Sequence, residues 1–217
     1  MANQYAVIGL GRFGISIAQK LFESGQEVLG VDVNEERVED SHSFVTHAVI
    51  ADSTDAEALK SIGIRNFDTV VVAIGNDIQA SILTVLLLKE LGVKRVIAKA
   101  LNKLHGQVLD KVGADWVVFP ERDMGMRVAH QLLSPKVLNF IEISKNYSVE
   151  EVKIPEYMIE KTLRELDLRA RFNLSVIAIR HEDEINISPS PDKIINHGDV
   201  LVVIGENRDL EKFANLE

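Results

Sequence analysis

The chain has 217 residues, of which 46% are hydrophobic and 26% are charged, and these values exclude a disordered or collagen-like chain. The lack of cysteine excludes disulfides, cysteine zinc sites and thiol nucleophiles, and the net charge of −9 argues against a surface that coats nucleic acid or an anionic membrane. The length allows one large domain or two small ones.

The start of the chain and its longest apolar run both bear on membrane insertion. Residues 1–4 (MANQ) and the early Gly9 lack the basic and apolar regions of a secretory signal, so we expect none. The apolar run 82–88 ends at a charged pair, 89–90, and is far shorter than the roughly 20 residues that span a bilayer. If the protein works at a membrane, we expect another chain to hold it there.

Six short runs rich in β-branched residues alternate with segments of helical periodicity in the first 120 residues. The run 69–74 is almost continuously apolar, which is typical of a central strand covered on both faces. The alternation predicts an α/β fold, a Rossmann-like doubly wound parallel sheet, over a domain of residues 1–134. The predicted strands are residues 5–8, 27–33, 46–51, 68–74, 95–100 and 116–119.

A glycine-rich loop, Gly9-x-Gly11-x-x-Gly14, lies between the first predicted strand and the first predicted helix. In such a loop Gly9 permits the tight turn, Gly11 lets the backbone approach a diphosphate, and Gly14 allows the helix to pack closely on the strand. The helix N-terminus offers free N–H groups and partial positive charge to phosphates. The pattern therefore predicts nucleotide binding, and a purely structural glycine turn is the alternative.

Asp32 follows the second predicted strand and supports the nucleotide interpretation, because a carboxylate at this spacing can accept both ribose hydroxyls. It would repel a 2′-phosphate, so NADP is disfavoured. A structural turn explains neither Asp32 nor its spacing. The neighbouring residues assigned to the same predicted site are Leu10, Phe13, Val33 and Asn34.

Arg12 places a guanidinium inside the glycine loop, where many dinucleotide enzymes have a small or apolar residue. A guanidinium there adds charge-assisted hydrogen bonds to phosphate, which suggests ATP or ADP as the ligand. The alternative is a surface arginine paired with a nearby acid.

Polar residues also follow the other predicted strands, at the edge where ligands of open α/β sheets bind. Lys99 interrupts a buried strand, so we expect it to meet an anion or a carboxylate. Glu121 either holds a cation on a phosphate or opens the next helix, and Asp77 suits a helix N-cap. The other residues predicted to line the site, of which Asp52 and Thr54 would also suit capping, are Asp52, Ser53, Thr54, Ala73, Ile74 and Gly75.

The pattern changes near residue 134, and the rest of the chain, residues 135–217, reads as a small α+β lobe. We expect a bridging stretch over 136–144 and brief helices around 162–166 and 208–213. A lobe of this size often stabilises itself by dimerising. The predicted strands of this lobe are residues 148–154, 174–180 and 200–205.

Ser144, Tyr157 and Lys161 reproduce the spacing of the catalytic residues of short-chain dehydrogenases. Those enzymes place the Tyr and Lys on one long helix, whereas here Pro155 precedes Tyr157 closely, so we interpret the match as accidental. The six histidines show no metal-ligand spacing. The sequence favours a non-enzymatic sensor, and a small NAD-dependent oxidoreductase is the alternative.

Short motifs spread over the chain are together more specific than the glycine loop alone. They occupy residues 7–14, 31–32, 51–54, 72–75, 98–100, 119–125, 166–172, 177–179, 187–189 and 198–205. In these motifs the chain resembles RCK (TrkA-type) regulatory domains and, more narrowly, the cytosolic regulatory subunits of bacterial Ktr potassium transporters. The resemblance covers essentially the whole chain.

The resemblance implies a cytoplasmic subunit, peripheral at the inner face of the cell membrane, that forms an octameric ring of dimers beneath a membrane potassium-transport subunit of the KtrB or KtrD type. It implies that ATP or ADP, or NAD(H) in some relatives, binds the N-terminal lobe and changes the shape of the ring, which gates transport. By motif match, the loop glycines would hold the diphosphate, Asp32 the ribose, and Asp52 with Gly75 the adenosine side.

Two further roles follow from the same resemblance. Arg12 would reach the γ-phosphate, and Glu121 would help to place a divalent cation there. The C-terminal lobes of several relatives bind cyclic di-AMP at their dimer interface. The residues in the corresponding segments of this chain are Arg169, Ala170, Asn173 and Pro191.

Overall fold

The computed structural model describes residues 3–216 and divides into two compact units, Met1–Met124 and Gly125–Glu217. The division lies inside a helix, Pro120–Leu133, whereas the sequence placed the border just after that helix. The domains 1–134 and 135–217 therefore stay a prediction. Met1, Ala2 and Glu217 lie outside the described residues. The prediction that the chain carries no secretory signal rests partly on the first two of them.

The first unit contains a six-stranded parallel sheet with the strand order β3-β2-β1-β4-β5-β6. Each strand begins within one residue of its predicted start, and the predicted Rossmann-like fold is confirmed. The strands are β1 (Gln4–Ile8), β2 (Glu27–Asp32), β3 (His47–Ile50), β4 (Thr69–Val72), β5 (Val96–Lys99) and β6 (Trp116–Val118).

Helices cover both faces of this sheet, which explains why the central strand β4 is apolar throughout. Val71 belongs to one core together with residues of the first two helices, and Val70 and Val72 belong to the core on the opposite face. The helices are α1 (Arg12–Glu23), α2 (Glu35–Ser41), α3 (Ala56–Ser61), α4 (Ile78–Glu90), α5 (Lys103–Lys111) and α6 (Pro120–Leu133), with a 3₁₀ turn at Ile64–Asn66.

The longest apolar run of the sequence forms part of α4. Val85 and Leu88 are fully buried against the sheet, while Leu83 and Leu86 remain 39% and 37% exposed. This run is therefore a core helix of the first unit. Within residues 3–216, no helix combines the length and the hydropathy that crossing a membrane requires.

The second unit contains a five-stranded antiparallel sheet with the strand order β10-β9-β11-β8-β7. Its core joins Ile179, Leu201 and Val203 of the sheet to Leu210 and Phe213 of the last helix. The elements are β7 (Val137–Ser144), β8 (Tyr147–Lys153), a 3₁₀ turn (Glu156–Met158), α7 (Leu163–Leu166), α8 (Leu168–Phe172), β9 (Ser175–His181), β10 (Glu184–Ile187), β11 (Asp199–Glu206) and α9 (Asn207–Ala214).

Two strands of this lobe differ from the sequence prediction. The stretch expected to bridge the domains is β7, which pairs antiparallel with β8, and β10 is a strand that was not predicted. Both lie at the edges of the sheet, and all four residues of β10 are exposed. β10 alternates polar and apolar residues but is only four residues long, and the apolar residues of β7 do not alternate regularly with polar ones, so neither stretch carries a strong strand pattern.

Candidate functional site

The glycine loop connects β1 to α1, and two of its glycines are required by the protein's own backbone. Gly9 has a φ of +95°, and a Cβ there would lie 3.0 Å from the Ala73 carbonyl carbon and the Ile74 nitrogen. A Cβ on Gly14 would lie 1.9 Å from the carbonyl oxygen of Gly9. These positions exclude a side chain because β1, β4 and the first turn of α1 approach one another closely.

Gly11 differs, because a Cβ at this position would meet nothing within 4 Å. It is the N-cap of α1 and supplies no side chain to accept hydrogen bonds from the first N–H groups of the helix. Contacts within the protein therefore do not require a glycine at position 11, whereas a phosphate group bound at the helix N-terminus would require one. The loop fits a nucleotide diphosphate on this observation.

Asp32 ends β2, next to β1, and its carboxylate organises the loop. Its Oδ2 accepts a hydrogen bond from the Leu10 N–H at 2.7 Å, and its Oδ1 accepts one from the Asn34 N–H at 2.9 Å. Its side chain is only 5% exposed, and Arg37 Nη1 lies 3.5 Å from Oδ2. Oδ1 keeps a lone pair for a ribose hydroxyl, whereas Oδ2 already accepts hydrogen bonds from both Leu10 and Arg37. The contact with Arg37 was missed from the sequence, although its position in the first turns of α2 places it near the end of β2.

The two residues that follow Asp32 serve mainly the next helix. The Asn34 side chain caps α2 by accepting the Arg37 N–H at 2.9 Å, and Val33 is 66% exposed. They lie next to Asp32 at the end of β2.

The end of β4 lies beside the glycine loop, because β1 and β4 are neighbours in the sheet. The Ala73 N–H donates to the Ile8 carbonyl at 2.7 Å, and the chain continues through Ile74 to Gly75. Strand order reverses between β1 and β4, and open α/β sheets bind ligands in the crevice at such a point.

Lys99 and Glu121 form an ion pair at the same edge of the sheet. Lys99 ends β5 with its side chain 9% exposed, and its Nζ lies 2.6 Å from Glu121 Oε1 at the start of α6. The Lys99 hydrogen bond is the largest influence on Glu121 and holds the pKa of that carboxyl below its usual range. Lys99 Nζ also lies 5.6 Å above the Phe13 ring, so the pair borders the glycine loop. The expectation that Lys99 meets a carboxylate is confirmed.

Arg12, the first residue of α1, is exposed, and in the described part of the chain no carboxylate lies within ion-pairing distance of it. Its charge nevertheless contributes to lowering the pKa of Glu121. The alternative of a surface arginine paired with an acid is therefore not observed, and the guanidinium stands free beside the open end of the loop.

The segment after β3 is built mainly from local hydrogen bonds. Asp52 accepts the Thr54 hydroxyl at 2.7 Å and the Thr54 N–H at 2.8 Å, and these bonds lower the pKa of Asp52. Asp55 rather than Asp52 or Thr54 caps α3. The Ser53 hydroxyl is buried and lies 2.8 Å from that of Thr84, so this side chain faces the protein interior. Asp77 caps α4 as predicted, accepting the Ala80 N–H.

The dehydrogenase-like spacing does not produce a catalytic arrangement. Ser144 ends β7, and Tyr157 lies in a 3₁₀ turn instead of a long helix. Lys161 stands over the Tyr157 ring, with its Nζ 5.6 Å from the centroid. In residues 3–216 no group of three His, Asp or Glu side chains is placed to hold a metal ion.

The four residues matched to a cyclic di-AMP site are all exposed on the second unit. Arg169 and Ala170 lie on α8, and Asn173 ends that helix with a φ of +57°. The Pro191 carbonyl accepts the N–H of Arg164 on α7 at 2.8 Å. The predicted cyclic di-AMP site therefore comprises residues of α8 and a loop residue, Pro191, whose carbonyl is hydrogen-bonded to α7.

Comparison with known proteins identifies two domains. Residues 5–120 match the model of the TrkA-N domain, and residues 149–217 match that of the TrkA-C domain. The chain is 47% identical to Ktr system potassium uptake protein A and 46% identical to Ktr system potassium uptake protein C, both of Bacillus subtilis (strain 168). Each comparison covers 98% of this chain and 96% of the relative.

Solved structures show the same fold at lower sequence identity. The GsuK RCK domain matches with a TM-score of 0.68 and 19% identity, over 100% of this chain and 48% of that one. The TrkA-N domain of the inner membrane protein YbaL of Escherichia coli matches with a TM-score of 0.54 and 20% identity, over 61% of this chain and 98% of that one.

Proposed function

This chain belongs to the TrkA-type (RCK) family, in which a TrkA-N domain is followed by a TrkA-C domain, and we propose that it is the nucleotide-sensing regulatory subunit of a Ktr-type potassium uptake system. The names of the Bacillus subtilis relatives support a role in potassium uptake. The similarity extends over 96% of each relative, which supports the same two-domain organisation. An oxidoreductase finds no support in these names or in the placement of Ser144, Tyr157 and Lys161.

The observation that carries nucleotide binding is the environment of Gly11. Gly9 and Gly14 are explained by the backbone around them, but a Cβ on Gly11, the N-cap of α1, would meet nothing within 4 Å, and no side chain caps the helix there. The diphosphate would rest there, with the ribose at Asp32 and the adenosine near the ends of β3 and β4. The residues that we propose to line the site are Gly9, Leu10, Gly11, Arg12, Phe13, Gly14, Asp32, Val33, Asn34, Asp52, Ser53, Thr54, Ala73, Ile74, Gly75, Lys99 and Glu121.

We propose ATP and ADP as the ligands that the protein distinguishes, with NAD(H) as a further possibility of the same loop. The support is Arg12, an unpaired guanidinium at the open end of the loop, which can bind an additional phosphate. A divalent cation would bind at Glu121. It would have to compete with Lys99, which already donates to that carboxylate at 2.6 Å.

The remaining proposals concern assembly and location. We propose that the chain forms an octameric ring of dimers, is cytoplasmic, and reaches the inner face of the membrane through a potassium-transport subunit of the KtrB or KtrD type. The exposed residues Arg169, Ala170, Asn173 and Pro191 of the second unit would bind cyclic di-AMP between two protomers.

Titration with ATP, ADP and NADH, followed by light scattering and, in the presence of small carbonyl compounds as hydride acceptors, by NADH absorbance, tests the central proposal. We expect a large assembly whose mass or shape depends on the nucleotide, without oxidation of NADH. Hydride transfer by a monomer or dimer would instead establish the oxidoreductase. Failure of all three nucleotides to bind would contradict the proposed nucleotide-sensing function.

A further inference from the structure

A cavity of about 450 Å³ lies in the second unit, on the face of the sheet that carries Ile179 of the core. His181 and Ile179 lie two residues apart on β9 and therefore share this face, as do their partners Glu184 and Asn186 on β10. The volume is within the range of small-molecule sites. In the described part of the lobe, the lining includes none of the four cyclic di-AMP candidates.

The base of the cavity is already satisfied by internal hydrogen bonds. The buried Asp199 carboxylate lies 2.7 Å from His181 Nδ1 through one oxygen, and its other oxygen accepts the Asn196 N–H at 2.8 Å. Because a carboxylate only accepts, His181 donates through Nδ1. This pair fixes the wall of the cavity, and both oxygens of the Asp199 carboxylate are already engaged.

The side chains of Lys193 and Glu184 line the same cavity but do not pair with each other. Within residues 3–216 neither side chain forms an ion pair or a hydrogen bond, and the Asn186 and Asn196 amides also lack side-chain partners. Lys193 is half-buried, and its backbone is held by hydrogen bonds to Ser190 and Leu163. The lining of the cavity therefore contains a cation and an anion that form no ion pair with any described residue.

We propose that this cavity binds a small zwitterion of the α-amino-acid type, whose carboxylate meets Lys193 and whose ammonium group meets Glu184. A ligand that carries both charges can pair with Lys193 and Glu184 at once, whereas a simple anion or cation leaves one of the two side chains unpaired. The two asparagine amides supply further donors and acceptors. The cavity belongs to the second unit, so the proposal is independent of the nucleotide loop in the first.

Calorimetric titration of the full chain with glycine, L-proline and L-glutamine tests the proposal, with acetate and methylammonium as single-charge controls. We expect at least one amino acid to bind and both control ions to bind more weakly by about tenfold or more, because each engages one charge only. The proposal is wrong if no amino acid binds at concentrations up to about 10 mM, or if acetate binds as tightly.

Variants locate the binding site. Lys193→Met and Glu184→Gln should each weaken amino-acid binding by about tenfold or more, since each removes one charge partner. Lys193→Arg should retain binding, and the matched surface variants Lys153→Met and Glu142→Gln should leave it unchanged. Circular dichroism verifies that each variant is folded, and unchanged affinity in either charge-removing variant overturns the assignment.

Discussion

Three glycines of one loop have different physical roles, although they look alike in the sequence. Gly9 and Gly14 face backbone atoms of the protein itself, and Gly11 faces space that no part of the described chain fills. Substitution by alanine therefore separates folding from ligand binding within a single motif.

We predict that Gly14→Ala destabilises the protein by more than about 2 kcal/mol, because its Cβ would lie 1.9 Å from the Gly9 carbonyl oxygen, a backbone atom that cannot move aside. Gly11→Ala should cost about 1 kcal/mol or less, since it changes only an N-cap residue. It should nevertheless weaken nucleotide binding by about tenfold or more. Urea denaturation and nucleotide titration check both, and equal stability losses would contradict the assignment.

Arg12 is the residue that we expect to distinguish ATP from ADP. Removing its guanidinium in Arg12→Ala should lower the affinity for ATP by about tenfold and leave that for ADP within about twofold, because the additional phosphate loses a charge-assisted partner. Calorimetric titration of both nucleotides measures the ratio. The exposed Lys20 on the same helix provides the control variant Lys20→Ala. An unchanged ratio in Arg12→Ala would show that Arg12 does not read the phosphate.

At the scale of elements, strand order decides which ends of strands meet. β1 lies between β2 and β4, so Asp32 and Ala73 flank the glycine loop although they are far apart in sequence. β6 lies beside β5, and this brings Glu121 to Lys99. The periodicity predicted the strands and their shared edge, but the partner of Lys99 follows from strand order.

The C-terminal half of α6 packs on the second sheet through a buried carboxylate. Glu150 on β8 is 3% exposed; its Oε1 lies 3.2 Å from His130 Nε2 of α6, and its Oε2 has no hydrogen-bond partner among the described residues. Burial raises the pKa of Glu150, His130 opposes that rise, and Glu211 of α9 adds to it. The helix thus contacts the sheet through a carboxyl group whose pKa is raised.

This environment predicts a pH dependence of folding stability. Because the folded pKa of Glu150 lies above its unfolded value, the folded state binds more protons, and stability falls as the pH rises from the unfolded pKa through the folded one. The loss amounts to about 1.4 kcal/mol for each unit of the pKa difference. Glu150→Gln should flatten this dependence in urea denaturation between about pH 5 and 8. The exposed Glu142→Gln should leave it as in the parent, and the same slope in both variants would exclude Glu150 as its source.

At the scale of the whole molecule, a nucleotide can change the shape of an assembly only if it binds one shape better than the other. A 100-fold preference corresponds to about 2.7 kcal/mol per site, and several coupled sites would switch the proposed ring sharply. The free energy for gating would thus come from the difference between the binding free energies of ATP and ADP at each glycine loop.

We therefore expect potassium flux through a reconstituted membrane partner to differ between ATP and ADP when this chain is present. Gly11→Ala should abolish most of that difference while preserving the mass of the assembly, because it impairs the ligand site and spares the fold. Flux measurements in vesicles, paired with light scattering of the same preparations, test this. A nucleotide response of undiminished size in Gly11→Ala would place the sensor elsewhere.

The sequence by itself determined the parallel sheet, the glycine loop and the position of Asp32, because strand periodicity and glycine spacing are local properties of the chain. It did not reveal β7 and β10, the two edge strands of the second sheet, because the apolar residues of β7 do not alternate regularly and β10 is only four residues long. Only the tertiary structure decided that Lys99 pairs with Glu121, that Ser53 faces Thr84 and that Asp32 holds the Leu10 N–H. Each of these contacts joins residues at least 22 positions apart, and which side chains meet over that separation depends on strand order and packing.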